Sequence, residues 1–433
     1  MKRFVLFSLV FWFGFSFLSY SAEQTNAVAG PAEPSSLPDW ISQGESRLTL
    51  GNFTSFGAAK SKQFLISRDD KGGDTAGYSS TYLDGFYETP VFYNLQVGIG
   101  AQFHFRTADH NDIHDSKYPN DEDLFFTDSY LKYHLTDEWM VHGGRFNVRN
   151  VTGHVDPQHA QGAYVQYLND DGFKFQVGAL DKFAFFFNDF VRDYEDAGDE
   201  ARFDYGDDEA ARAVGDTVYF SELHKQLGEH VRVNPYVFYQ ENYVTWYGLD
   251  TEFSSECDNG RLGTRVKMYY LDSGMESDTV AGMDDGSFNF CLNPFMKVGD
   301  WNYECGYARF GGNSALNNPS WGYRHFIAAL YDDLGGFEVI DYYSLYGTED
   351  TDLLFGRISY HHDNWEVHTS CAYYSTDSSP TEDQLMELQL GGGIDLTEKL
   401  NLGGRIVGLL ADEKDDVVSQ ERAYFEAWVS YTF

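Results

Sequence analysis

Cysteine is scarce in this chain, with 4 in 433 residues, and proline is little commoner, with 10. Four thiols over such a length cannot make a disulfide scaffold. Basic residues are outnumbered, 30 Lys and Arg against 68 Asp and Glu, for a formal net charge of −38. That balance excludes a nucleic-acid binder, whose affinity rests on cations set against phosphates. Past Leu18 no apolar run approaches the ~18–20 residues of a membrane helix. With a mean hydropathy of −0.44, a bundle of such helices is excluded as well. Also missing are Cys-x-x-Cys, His-Glu-x-x-His, Gly-x-Ser-x-Gly and phosphate-binding glycine-loop motifs. The sequence therefore names no catalytic residue, no cofactor and no metal site.

What the chain does hold is 17% aromatic residues and 42 glycines, with only 23% charged residues, a composition foreign to disordered chains. One class keeps such a polar-looking chain in a bilayer. In a β-barrel, lipid-facing and water-facing residues alternate, so average hydropathy hides the apolar face.

Met1-Lys2-Arg3, the apolar run Phe4–Leu18 and the small residues Ser19-Tyr20-Ser21-Ala22 read as a secretory signal peptide over 1–22. Its removal takes the net charge from −38 to −40. Residues 23–40, with Pro31, Pro34 and Pro38, read as a flexible leader. From 41 to 433 the chain reads as one domain.

Period-2 alternation runs through that domain and predicts strands with one apolar face. Phe425, Ala427, Val429, Tyr431 and Phe433 alternate with Glu426, Trp428, Ser430 and Thr432. Leu400, Leu402 and Ile406 alternate with Lys399, Asn401 and Arg405, and Leu262, Val266 and Met268 with Arg265 and Lys267. Similar patterns cover 173–178, 354–361 and 386–391. Charges fall in the polar phase, as they must if the other phase meets hydrocarbon. A lipid-facing Arg or Lys at the midplane costs about 2–4 kcal/mol. A soluble sandwich would also alternate. However, Trp139, Trp301, Trp365, Tyr373, Tyr431 and Phe433 sit near strand ends, where interfacial girdles belong.

Short connections at 136–138, 169–172, 298–300, 334–336, 362–364 and 396–398 alternate with long ones near 107–123, 149–160, 181–215, 271–286, 311–322, 375–383 and 411–420. This predicts an all-β, single transmembrane antiparallel barrel of about 18 strands (16 to 20), with tight periplasmic turns and long outer loops. The uncertain parts are 46–68, as one strand or two, and 243–259. Cys291 falls in the polar and Cys305 in the apolar phase of one hairpin, so no disulfide joins them.

At this point the chain resembles Gram-negative outer-membrane porins, and among them the OprD-like family with the major outer membrane proteins of epsilonproteobacteria. The ending Tyr431-Thr432-Phe433 is similar to the signal by which the barrel assembly machinery recognises the last strand. The rest of the resemblance lies in FLISRDDKGG (64–73) running into 82–103, in GGRFNV (143–148) with 162–167 and 172–183, and in FEVIDYYSLYG (337–347). It implies an 18-stranded outer-membrane diffusion channel for small hydrophilic solutes, monomeric or homotrimeric, set among outer-membrane lipids and lipopolysaccharide. It further implies that the third outer loop, Asn150 to Gln161, folds inward as a constriction carrying His154, Asp156 and His159. The family's usual Asp-x-Arg…Pro run is replaced there by His154-Val155-Asp156-Pro157-Gln158-His159, which argues against its basic amino-acid selectivity.

The polar phase supplies Arg145, Lys174, Arg232, Arg265, Lys267, Arg357 and Arg405 as candidate pore-lining residues. Outer segments are acidic: from Asp189 to Asp216 there are 11 carboxylates against Arg192, Arg202 and Arg212, and 109–123 adds six more. Acidic mouths concentrate cations through the summed field, so weak cation selectivity is expected. The spacing in 109–123 offers oxygen ligands to Ca²⁺ but no EF-hand pattern. Two other readings compete: an adhesive or structural barrel with a plugged lumen, and a barrel hydrolase, for which no local Ser–His or Asp–His spacing stands out.

Overall fold

The computed structural model describes residues 36–59, 75–110, 123–148, 151–152, 154, 159–187, 190–196, 217–240, 244–273, 286–311, 351–377, 382–412 and 422–433. A six-residue helix, α1 (Leu37–Ser42), precedes β1 (Glu45–Ala59), β2 (Thr75–Glu88), β3 (Leu95–His110), β4 (Asp123–His134), β5 (Trp139–Asn147) and β6 (His159–Leu168). Next come β7 (Lys174–Phe187), β8 (Phe190–Asp196), β9 (Val218–Leu227), β10 (Val231–Gln240), β11 (Val244–Cys257), β12 (Gly260–Ser273) and β13 (Gly286–Val298). The remainder are β14 (Trp301–Phe310), β15 (Thr351–His362), β16 (Trp365–Asp377), β17 (Glu382–Thr397), β18 (Leu400–Asp412) and β19 (Arg422–Thr432).

Every strand except β8 pairs antiparallel with a neighbour on each side, and β1 pairs with β19 to close the ring. The seam between them runs over 11 register pairs, from Thr49↔Thr432 to Ala59↔Arg422. β8 is an addition to one edge: it pairs only with the upper half of β7, from Lys182↔Asp196 to Phe187↔Phe190, while the lower half of β7 pairs with β9. The wall thus has 18 strands, with 19 strand segments among the described residues. In the region 46–68 the described residues belong to β1, which ends at Ala59, with 60–68 outside the described residues; 243–259 holds β11. The expected turn at 334–336 and the stretch 337–347 lie outside the described residues.

Tight turns gather at one end. Tyr93, Asn94, Asp363, Gly172, Gly228 and Gly299 have positive φ there, which reverses the chain within a few residues. Beside one of these turns, α1 is docked by Trp40, whose indole N–H donates to the Pro90 carbonyl and whose ring stacks on Phe92 at 5.7 Å.

The two faces of the wall differ as the alternation requires. Outward-facing Leu131, Val141, Val177, Phe253, Leu262, Leu354, Leu388, Leu390, Ile406 and Phe425 are all exposed, whereas Gln102, Glu222, Glu252, Asn293, Arg357, Glu387 and Glu426 are buried on the inner side. A water-soluble fold would invert that distribution. Aromatic residues ring the turn end: Trp139 meets Tyr167 at 4.9 Å, Trp301 meets Tyr360 at 4.7 Å, and Tyr431 meets Phe433 at 4.9 Å. Rings with an apolar body and a polar tip suit an interface where hydrocarbon gives way to water. All four cysteines are free, with Cys291 buried and Cys305 exposed.

The membrane face yields a prediction. Ile406 is 55% exposed near the middle of the outward row Leu400–Leu410. Ile406→Arg should destabilise the barrel by about 2–4 kcal/mol in lipid vesicles. An exposed site on a soluble protein would change by only about 0.5 kcal/mol. Urea unfolding from vesicles, followed by tryptophan fluorescence, measures the difference.

Candidate functional site

The inner face is layered along the strand axis, because residues two apart on each strand stack down the same side. On β9 the inward series is Phe220, Glu222, His224; on β10 it is Phe238, Tyr236, Asn234, Arg232; on β11 it is Trp246, Gly248, Asp250, Glu252. Phe220, Phe238, Trp246 and Tyr269 form one buried aromatic row, with successive ring centroids 6.0–6.4 Å apart. Tyr236 lies over Gly248, where a Cβ would come within 1.9 Å of the ring. The glycine in a polar phase makes room for an aromatic neighbour.

Below that row the wall is ionic. Glu252 accepts from Arg232 at 2.9 Å, from Arg261 at 2.6 Å and from Arg265 at 3.3 Å. Arg265 also reaches Glu304 at 3.4 Å and lies over the Phe295 ring at 4.4 Å. Lys267 sits 3.5 Å from Asp250. Farther round, Arg405 donates to Glu426 at 2.5 Å. Cations and acids thus alternate between adjacent strands, so much of their field closes over a few ångströms.

Described residues that follow β5 meet this part of the wall. β5 stays paired with β4 only as far as Ser129↔Arg145, and the β5–β6 hairpin continues beyond it to Asn147↔His159. The break coincides with Gly144, at φ +126°, a backbone region closed to other residues. From the end of that hairpin, the described residues Val148, Val151, Thr152 and His154 are buried. Their partners lie on the inner faces of β7, β9, β10 and β11. Lys174 donates to the Val151 carbonyl at 3.2 Å, and the Thr152 hydroxyl donates to Glu222. His154 stacks on Tyr236 at 3.8 Å, bonds Asn234 at 3.0 Å, and lies 3.8 Å from both Glu222 and Asp250. On the opposite side of the hairpin, His159 Nε2 is 3.4 Å from Asp128. Asp156 lies outside the described residues.

Of the residues singled out from sequence, Arg232, Arg265 and Lys267 come together in the ionic sector of β10–β12, and Lys174 supports the loop. Arg357 is buried and stands in register with Glu304. Arg405 belongs to a separate pair. Arg145 contacts Gln161 at 3.1 Å within the β5–β6 hairpin. Sequence reading missed Glu222, Glu252, Arg261 and Thr152. Neither glutamate lies in a segment whose alternation was read above: Glu222 is on β9, and Glu252 falls in 243–259, where the phase stays open in the sequence.

β8 reaches across to β3 and β4, its backbone passing within 8 Å of both. Much of the acidic outer segments, including most of 109–123 and of 189–216, lies outside the described residues.

Neither a protein-family model nor a curated protein sequence matches the chain. Its fold matches solved structures throughout. Pseudomonas aeruginosa OccK8 (OprE) aligns with TM-score 0.68 at 13% identity, covering 91% of this chain and 99% of that one. Acinetobacter baumannii OccAB3 aligns with TM-score 0.68 at 13% identity, covering 91% of this chain and all of that one. A BenF-like porin from Pseudomonas fluorescens Pf-5 aligns with TM-score 0.67 at 11% identity, over 91% and 99%. At such identities the agreement is one of architecture.

The hairpin bend can be tested at Gly144, where a Cβ would come 2.2 Å from the Ser129 carbonyl oxygen. Gly144→Ala should cost at least about 1–3 kcal/mol. Gly172→Ala, at an open turn with no atom within 4 Å, should cost only about 1 kcal/mol. Urea midpoints in vesicles compare the two.

Proposed function

We propose that this chain is an outer-membrane diffusion channel for small hydrophilic solutes, weakly selective for cations, with the third outer loop as its constriction. The observation that carries the reading is the distribution of charge around a closed wall. Ionic groups crowd the inside and apolar groups cover the outside. A dry core would not hold so many charged side chains, Glu222, Glu252, Glu304, Arg265 and Arg357 among them, because buried charges need pairing or water. A barrel of about this strand number encloses an aqueous space, and the fold shared with porins of known structure supports passage through it.

Cation preference rests on the acidic excess, 68 carboxylates against 30 basic residues. The basic residues of the β10–β12 sector are matched locally by Asp250, Glu252 and Glu304, so the excess of acids in the outer segments' sequence dominates at range. Screening acts over about 8 Å at physiological salt, which keeps the preference weak.

The same reading assigns residues 1–22 to export and 23–40 to a leader. It gives the Tyr431-Thr432-Phe433 ending to the barrel assembly machinery, and the outer rim to lipopolysaccharide. It assigns no catalytic residue and no cofactor. A homotrimer would place part of the apolar belt against its neighbours.

Planar-bilayer recording tests the proposal: stepwise openings are expected, and a silent bilayer would favour a plugged adhesive barrel. In a KCl gradient the reversal potential should take the sign of a cation-preferring pore, and clear anion preference would reject that part. Glu252→Gln should move the reversal potential towards anions, because it leaves Arg232, Arg261 and Arg265 without their shared carboxylate.

A further inference from the structure

We propose that Glu222 is the positioning residue of the constriction: a buried carboxylate on β9 that latches the third outer loop against the far wall. The inference rests on the channel reading and names what holds that channel's narrow part in place. Glu222's side chain is 0% exposed, and two loop residues converge on one of its oxygens. The Thr152 hydroxyl donates to Oε1, and His154 Nε2 lies 3.8 Å from the same atom. The second oxygen, Oε2, faces His224 Nε2 at 3.2 Å. Each carboxylate oxygen therefore has a partner, Oε1 in the loop and Oε2 on the wall.

The surroundings explain why a carboxylate suits this position. Thr152 and His154 are two residues apart, and the Thr152 hydroxyl also accepts from the His154 backbone N–H at 3.2 Å. The two residues are thereby tied to each other as well as to the wall. A carboxylate oxygen accepts from the Thr152 hydroxyl while Asn234 holds the neighbouring His154 ring; a neutral aliphatic side chain could accept nothing. Hydrogen bonds to an ionised group are the stronger kind, and one left unmade inside the barrel is costly. Lys174, from β7, completes the latch by holding the Val151 carbonyl at 3.2 Å, and Tyr236 supplies the flat surface under His154. The described loop residues rest on four strands, and Glu222 is where the Thr152 hydroxyl is held with His154 3.8 Å away.

Releasing this contact would draw His154 away from Asp250 and Asn234 and widen the passage beside the ionic sector. Glu222 would then govern pore size and selectivity without having to touch a passing solute. It acts through the loop.

Two measurements test the latch, one electrical and one chemical. Unitary conductance is recorded for the wild-type protein, Glu222→Ala, Glu222→Gln, Thr152→Val and the double variant Glu222→Ala/Thr152→Val. Carbethoxylation of His154 by diethyl pyrocarbonate, read by mass spectrometry on the folded protein, reports loop release whether or not the protein conducts. Glu222→Ala and Thr152→Val should each raise conductance and speed His154 modification about tenfold or more, the factor that one hydrogen bond to a charged group is worth. The amide of Glu222→Gln still accepts from Thr152 and should restore most of the wild-type behaviour. The double variant should not exceed Glu222→Ala, since both remove one contact. Unchanged His154 reactivity in both single variants would overturn the latch, and so would a glutamine variant as open as the alanine one. Should Glu222→Ala fail to assemble, Thr152→Val decides alone. A silent wild-type bilayer would instead reject the channel reading, leaving the chemical measurement to judge the latch.

Discussion

The structure depends on one constraint: a backbone polar group that meets hydrocarbon must find its partner within the protein. Each unpaired N–H or C=O in a bilayer costs several kcal/mol, and a strand can satisfy its own only by pairing on both sides. A flat sheet would leave two bare edges. Pairing β1 with β19 removes both, and the register continues without a break across all 11 positions of that seam. Once closure is imposed, the period of two along each strand sorts side chains into an outer and an inner set. The exposed leucines and the buried glutamates are two results of the same geometry.

The inner set then has its own difficulty, because charges in a narrow aqueous space are partly desolvated. Local alternation answers it. Glu252 gathers three arginines from two neighbouring strands, Asp250 takes Lys267, and Glu426 takes Arg405. Pairing at that range suppresses the long reach of each charge while leaving hydrogen-bonding groups lining the wall. Thr152 and His154, from the stretch after β5, join the same network, so the electrostatics of the wall and the placement of those residues are set together.

Most of the wall was legible beforehand because its physics is local. On β19, every second residue from Phe425 is apolar, and that pattern alone gives the strand, its outer face and its inner face. β18, β17 and β12 read the same way. β8 was not legible: Phe190–Asp196 mixes acids and aromatics without a clean period, and it pairs with only part of β7. β11 was hard to phase because Trp246 and Tyr247 are adjacent aromatics on opposite faces, one packed inside and one exposed. The candidate site was legible only in part. Inward arginines followed from alternation, but their partners depend on register between strands, and register cannot be read from one strand's own pattern. Thr152 gave no signal at all, being an ordinary loop threonine until the hairpin bend carries it to Glu222, 70 residues away in the chain.

The seam carries a further implication for how such a protein comes into being. Thr49 and Thr432, joined side chain to side chain at 3.1 Å, are 383 residues apart, so the first strand has no second neighbour until the last one arrives. Bringing together segments so distant in sequence is entropically slow. Until then the molecule carries an unfinished, sticky margin that could recruit a stranger's strand in place of its own. Biogenesis must therefore shield that margin, and the lifetime of the open form, more than the stability of the finished ring, governs how much chain is lost to aggregation.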